Sequence, residues 1–417
     1  MTKWRCLEGS VIEKRPSATK MRMETTIFRS IRLAIGASAM IPMAVFAQGS
    51  GTPAKPDSVA AKQVAPTLPP IDFSGTLFAN FQYRGDKGPA KGSNKFDVER
   101  VYLTFRMPAG EKTSVRITTD LFQQTTPGND NYYKGWVLRA KYAYLQYNYL
   151  NGDEWKGLAR VGLIHTVFID YDEQFWPRWI STTPTERAAY FASADAGLAT
   201  DVTLPHRLGE IYATITNGPG YTSRETDRFK DYAARLTITP WGEDASTLLH
   251  TAALTGWYYR GAVASKFVTA GAGEIGPIGS GLDRNRWGLH VGERDPRLTL
   301  AVEYANRQEQ GEAGLNTVAA PRSLTDSTGT IVAGYAIARP FALSGMSSTS
   351  PLSLVARYDR VTTNTRTGWK YNVVIAGVVW DLSKRASFSA DYQETTPVTG
   401  APIAPNKTYF AHFVATF

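Results

Sequence analysis

The side chains with chemistry to offer in this chain are cations, not nucleophiles. Histidines His165, His206, His250, His290 and His412 are scattered, with no pair at metal-ligand spacing, and no nucleophilic-serine motif accompanies them. The single cysteine, Cys6, precedes a proposed processing point, so the mature chain would hold no thiol for a disulfide, a thiolate metal site or a nucleophile. No cofactor and no metal is expected. Basic residues, by contrast, recur on one parity of alternating segments: Arg100, Arg106, Arg116, Arg139, Lys141, Arg160, Arg235, Arg297, Arg307 and Arg357. The acids sharing that parity are fewer, namely Asp120, Glu303, Asp359 and Asp391. Arginine keeps its charge when partly desolvated and presents a fork to carboxylates and phosphates. Any single one could be a solvated wall residue or a partner for a neighbouring acid. The collective excess is what points to attraction of anions.

The elements that must position these cations are strands. From Ile71 onward the dominant pattern is alternation, clearest where Leu298, Leu300, Val302 and Tyr304 oppose Arg297, Thr299, Glu303 and Arg307. Successive strand side chains point to opposite faces, so one face suits lipid and the other water. A soluble sandwich alternates too, but aromatics at segment ends (Tyr83, Trp136, Trp257, Tyr258, Trp380) resemble interfacial girdles. Segments starting near Phe73, Phe96, Thr113, Trp136, Leu158, Asp195, Glu210, Asp231, Thr247, Arg286, Arg297, Thr330, Leu352, Lys370, Ala386 and Lys407 give about sixteen strands. The expected fold is therefore all-β: a closed transmembrane antiparallel β-barrel whose short turns alternate with longer loops. A barrel of that strand number leaves an aqueous lumen.

The third long connection, Ile169 to Ala194, is expected to fold inward and narrow that lumen. It carries Asp170, Asp172, Glu173, Arg178, Glu186 and Arg187, with a helical turn capped by Thr183 or Thr185. Acids facing basic walls would set a transverse field at the narrowest point. An external loop packed on its own aromatics is the alternative.

The chain has 417 residues, 46 basic and 37 acidic. Eight basic and three acidic residues fall within residues 1–47, leaving 38 against 34, an excess too modest to suggest nucleic-acid binding. Arg29 and Arg32 precede a small, apolar run from Leu33 to Phe46 that is too short to span a bilayer, and Val45-Phe46-Ala47 suits signal peptidase. Residues 1–47 are thus expected to be a signal peptide cleaved near Ala47, with Met21 or Met23 as alternative starts. Residues 48–70, rich in Pro and Ala, read as a flexible linker, and 71–417 as the barrel.

The final segment places Tyr409, Ala411, Phe413, Ala415 and Phe417 on one face. Such a strand ending in Phe resembles the assembly signal of Gram-negative outer-membrane barrels. That resemblance implies outer-membrane lipid and the barrel assembly machinery as partners, with Tyr409, Phe413 and Phe417 as recognised residues. Phe96 to Arg106 resembles an early strand of the phosphate-selective porin O and P family. Arg160-Val161-Gly162-Leu163-Ile164-His165, followed by Phe168, is similar to that family's glycine-bearing strand before a constriction loop. Leu163 and His165 depart from the family's Gln and Lys, so passage of solutes carries over and phosphate selectivity does not. The resemblance implies a diffusion channel for small anionic or neutral solutes, as a homotrimer or a single barrel. Two other readings stay open, an integral barrel hydrolase and a non-conducting structural or adhesive barrel.

Overall fold

The computed structural model describes residues 70–417 except 88–89, 124–134, 226, 242–248, 265–280, 314–322 and 347–349. The expected signal peptide, Cys6, and all of the linker but Pro70 lie outside the described residues. Alternation becomes geometry along the wall. Val302 and Val291 point outward with 61% and 55% of their surface exposed, while Ala301, Glu303 and His290 point inward and are buried.

Sixteen strands follow in order: β1 (Asp72–Arg84), β2 (Asn94–Pro108), β3 (Thr113–Gln123), β4 (Trp136–Asn151), β5 (Lys156–His165), β6 (Ala194–Thr203), β7 (Gly209–Thr216), β8 (Asp231–Ile238), β9 (Ala253–Ala264), β10 (Gly281–Asp295), β11 (Leu298–Ala313), β12 (Ser323–Ala338), β13 (Leu352–Asn364), β14 (Trp369–Ser383), β15 (Ala386–Thr399) and β16 (Asn406–Thr416). Each pairs antiparallel with its chain neighbours, and β1 pairs with β16, closing the barrel. Closure leaves no edge with unpaired backbone groups, a requirement for any sheet in lipid. At the seam Gly75 and Phe417 exchange backbone hydrogen bonds of 2.8 and 3.0 Å.

Most strand starts fall within two residues of those read from alternation. β10 and β12 begin five and seven residues earlier, at Gly281 and Ser323. Those added stretches are rich in Gly, Ser, Thr and charge, and they need no apolar face because they lie beyond the outward aromatic row. β9 begins at Ala253 rather than Thr247, a residue that lies outside the described set.

Two bulges reset parity on β2 and β4. The β1 partners pass from Arg100 to Val98, leaving Glu99 as the extra residue, and the β3 partners pass from Tyr142 to Ala140, leaving Lys141. A bulge lets two adjacent residues face the same way. Lys141 and Tyr142 are accordingly both buried on the inner side.

The third loop lies inside the barrel, and the hydrophobic core forms between it and the inner wall. Phe168, Ile169, Trp176 and Tyr190 of the loop are almost completely buried against Trp257, Ala305, Ile331, Tyr335, Val373 and Ile375 of β9 to β14. Trp257, expected in an outward girdle, instead faces inward and packs on Phe168 and Phe191. Gly288 makes room for it, since a Cβ there would meet the indole at 2.5 Å. Two single helical turns shape the loop, α1 (Ile169–Asp172) and α2 (Pro184–Arg187). Thr183 occupies the N-cap of α2 in extended backbone, but its hydroxyl makes no capping bond. A third turn, α3 (Pro340–Leu343), lies between β12 and β13.

Candidate functional site

Docking of the loop on β9 to β14 divides the inward cations into two sets. The first set holds the loop by its backbone carbonyls. Arg235 donates to Val167 O at 2.8 Å, Arg357 to Thr182 O at 2.6 Å and Arg307 to Ala188 O at 3.3 Å. Arg286 donates to Tyr190 O, and Gln393 donates to Ile180 O at 2.9 Å. Arg235, Arg307 and Arg357 were expected to line the pore, and the structure places them beneath or against the loop instead. A folded-in loop must satisfy carbonyls that water no longer reaches, and an arginine fork can do so while also holding a carboxylate, as Arg235 does with Glu210 and Arg286 with Glu309. Arg357 and Asp359 form an ion pair at 2.6 Å with both side chains wholly buried. Arg297 is also displaced from the expected lining. It sits at the short-turn end of the barrel, half-exposed, and binds Asp295 at 2.7 Å.

The second set lies on the arc β2 to β5, where Arg106 is exposed, Arg100, Arg116, Arg139 and Arg160 keep part of their side chains open, and Lys141 is buried. It comprises Arg100, Arg106, Arg116, Arg139, Lys141 and Arg160. Arg100 and Arg139 share Asp120, at 2.7 and 2.8 Å, so one buried carboxylate serves two guanidinium groups. Arg106 lies 3.5 Å from Asp72 at the exposed mouth. Arg116 has no carboxylate partner among the described residues. It donates to Thr118 Oγ1 at 3.1 Å and approaches His165 Nε2 at 3.3 Å. Arg160 donates to Gln146 at 3.1 Å. Lys141 lies over the rings of Tyr102 and Tyr142 at 4.4 and 5.3 Å, contacts that favour a cation without neutralising it. A cavity of about 640 Å³ opens beside Arg106, Arg116 and Arg160, with Tyr144 and Gln146 in its wall.

Facing this arc is the loop. Asp170 lies 3.7 Å from His165 Nδ1 with 49% of its side chain exposed. Enclosure in the lumen works against its ionisation, yet the charges of His165, Arg116, Lys141 and Arg160 outweigh that cost and hold its carboxyl below the usual value. Arg178 ties the loop together through Glu173, at 2.6 Å, and Glu186. Arg187 donates to Ser181 Oγ at 2.6 Å. Asp172 turns the other way, into the wall, where it accepts a hydrogen bond from Tyr335. Burial pushes its carboxyl up to about 7, against the pull of the Tyr335 hydroxyl and of Arg357.

Of the ten predicted cations, six are brought together on the arc, three anchor the loop and one lies at the rim. The predicted loop acids split similarly: Asp170 faces the arc, Glu173 and Glu186 brace Arg178, and Asp172 is a docking residue. Sequence reasoning missed Glu99, Arg286 and Tyr335. Arg286 shares parity with Gly288, His290 and Gly292, which was signal enough. Glu99 required the parity switch between Phe96, Val98 and Val101, Leu103 to be read as a bulge. At the seam, Tyr409, Phe413 and Phe417 all face outward and are exposed.

No family model matches the chain, and no curated protein matches it. Solved structures do. The anion-selective porin from Comamonas acidovorans superposes with a TM-score of 0.56 at 11% identity, covering 84% of this chain and 99% of the porin. OmpF of Salmonella typhi, in complex with daunomycin, gives 0.54 at 11% identity over 83% and 97%. The trimer form of OmpT, an outer membrane protein of Vibrio cholerae, gives 0.53 at 9% identity over 84% and 100%. At such identities the likeness is one of fold. This is the sixteen-stranded porin fold of Gram-negative outer membranes.

Proposed function

We propose that the chain forms a water-filled outer-membrane channel for passive diffusion of small hydrophilic solutes, with a mild preference for anions. The observation carrying this reading is the cationic arc of β2 to β5. The loop docks on one side of the lumen and leaves six cations opposite: Arg100 and Arg139 share one carboxylate, and among the described residues Arg116, Lys141 and Arg160 form no ion pair, the Asp170 carboxylate of the loop facing them at longer range. Rings of Arg and Lys favour anion passage. Salt screens such a field over ~8 Å at physiological ionic strength, so the bias is small except beside the loop. The Comamonas neighbour is an anion-selective porin, which agrees with this sign. A homotrimer is the assembly we propose, a reading supported by the trimer form of OmpT. Kinship to the phosphate-selective O and P porins rests on the Phe96–Arg106 and Arg160–His165 segments.

Planar-bilayer recording of the refolded protein tests the channel itself. Discrete ohmic steps are expected from heat-modifiable protein. Folded barrels that insert without conducting would leave a structural barrel, and turnover of ester or peptide substrates without conductance would favour an enzyme.

A further inference from the structure

An open indentation lies on the lipid-facing wall at β7, β8 and β9. Ala213 of β7 and Ala234 of β8 are direct cross-strand partners, and around this small pair stand Ile215, Tyr232 and Tyr258, all pointing outward and 43 to 55% exposed. The groove has a volume of about 790 Å³ and rises to Phe229, Lys230, Arg260 and Asp283 at the long-loop end. Its rim is charged on a face that is otherwise apolar. Arg260 follows Leu254, Gly256 and Tyr258 on the outward parity of β9, opposite Tyr232 and Asn285. It is exposed and forms no ion pair among the described residues. Lys230 contacts Glu225 at 3.3 Å and keeps part of its side chain in solvent.

A second observation concerns height. β7 and β8 have only eight residues each, whereas β4 and β11 have sixteen. A tilted strand needs ~9 to 11 residues to cross the hydrocarbon layer. The wall is therefore lower here than at β4 or β11, which brings the headgroup level nearer to Arg260. An outward guanidinium at that level needs an anion, and its fork matches phosphate.

We infer that this groove is a binding site for a phosphorylated lipid of the outer leaflet, its phosphate on Arg260 and Lys230 and an acyl chain laid over Ala213 and Ala234. The inference rests on the outer-membrane location proposed above, but not on conduction. Binding is measured in detergent, so its failure and the failure of the channel reading are separate results.

The test is native mass spectrometry of the refolded full chain with bisphosphorylated lipid A, with the same lipid stripped of both phosphates, and with inorganic phosphate. One tightly retained copy of the phosphorylated lipid per barrel is expected. Arg260→Ala should weaken retention roughly tenfold, the scale of one charge-assisted contact. Arg260→Lys should retain most of it, and Ala234→Trp, which fills the groove, should abolish it. Heat-modifiable mobility verifies folding, and if the Trp variant does not fold, the Ala and Lys variants decide alone. Equal retention of the dephosphorylated lipid, binding of inorganic phosphate with the same affinity, or unchanged lipid in folded Arg260→Ala would each overturn the site. So would loss of oligomers in Ala234→Trp with lipid retention intact, because a second copy would then be the occupant.

Discussion

Arg357 and Arg116 share residue type, parity and inward direction, yet one is sealed under the loop and the other faces the lumen. Parity legibly put both inside. What it could not show is which stretch of wall the loop covers, because that depends on contacts between residues more than a hundred positions apart. The apolar inner faces of β12 to β14 (Ile331, Val361, Val373, Ile375) carried the hint, since a wetted lumen would not need them. Breaking the Arg357–Asp359 pair from one side leaves a buried uncompensated charge beside Glu303, whose carboxylate oxygens find no hydrogen-bond partner among the described residues. Arg357→Met should therefore cost about 3–5 kcal/mol of stability, while Arg357→Met with Asp359→Leu should recover most of it. Denaturant titration in detergent measures both. Asp172 gives a pH dependence. Its carboxyl is raised to about 7 in the docked loop, above the ordinary ~3.9 of a released one. The docked state thus has its full advantage below ~4 and loses it as pH rises through 7. Cleavage of the loop by added protease should increase from pH 5 to 8 in the parent, and that increase should vanish in Asp172→Asn. A flat profile in the parent would contradict the assignment.

At the scale of elements, sixteen strands, the alternation of turns and loops and the inward third loop were readable because period-two patterning and loop length are local signals. The bulges at Glu99 and Lys141 were not read, although outward residues switch parity there, from Trp136, Leu138 and Ala140 to Ala143, Leu145 and Tyr147. The loop's socket was invisible for another reason: it is made by absences. Gly292 accommodates the Phe175 ring, which a Cβ there would overlap, and Trp176 is buried completely over Tyr335 and Arg357. Gly292→Val should push Phe175 out, and Trp176→Ala should remove about 3–5 kcal/mol of loop packing. Both variants should keep their strands, since the hydrogen bonds of the barrel do not pass through the loop. Both should raise conductance, and an unchanged conductance with intact heat-modifiability would place the constriction elsewhere. At the closing seam, deleting Phe417 removes the two backbone bonds to Gly75 and a ring 6.2 Å from Phe73. We expect less heat-modifiable protein in membrane fractions of that variant, measured by mobility before and after boiling.

For the whole molecule, an even and complete circuit of neighbouring antiparallel pairs makes the wall, and one docked loop makes the lumen asymmetric. Apolar packing and backbone-capping arginines occupy one side, and an arc of partly unpaired cations occupies the other. Because the covered cations are spent on carbonyls, on Asp359 and on Glu210, the arc and the Asp170 carboxylate facing it should shape the field that a permeating ion meets. The count of ten lumen cations read from parity therefore overstates the charge available to solutes. The most direct measurement is the reversal potential across a planar bilayer under a KCl gradient, for the parent and for the triple variant Arg116→Gln, Lys141→Gln and Arg160→Gln. The account predicts a modest anion preference in the parent that falls to neutrality or reverses in the triple variant, with folding unchanged. A cation-selective parent, or a triple variant with the parent's potential, would contradict it.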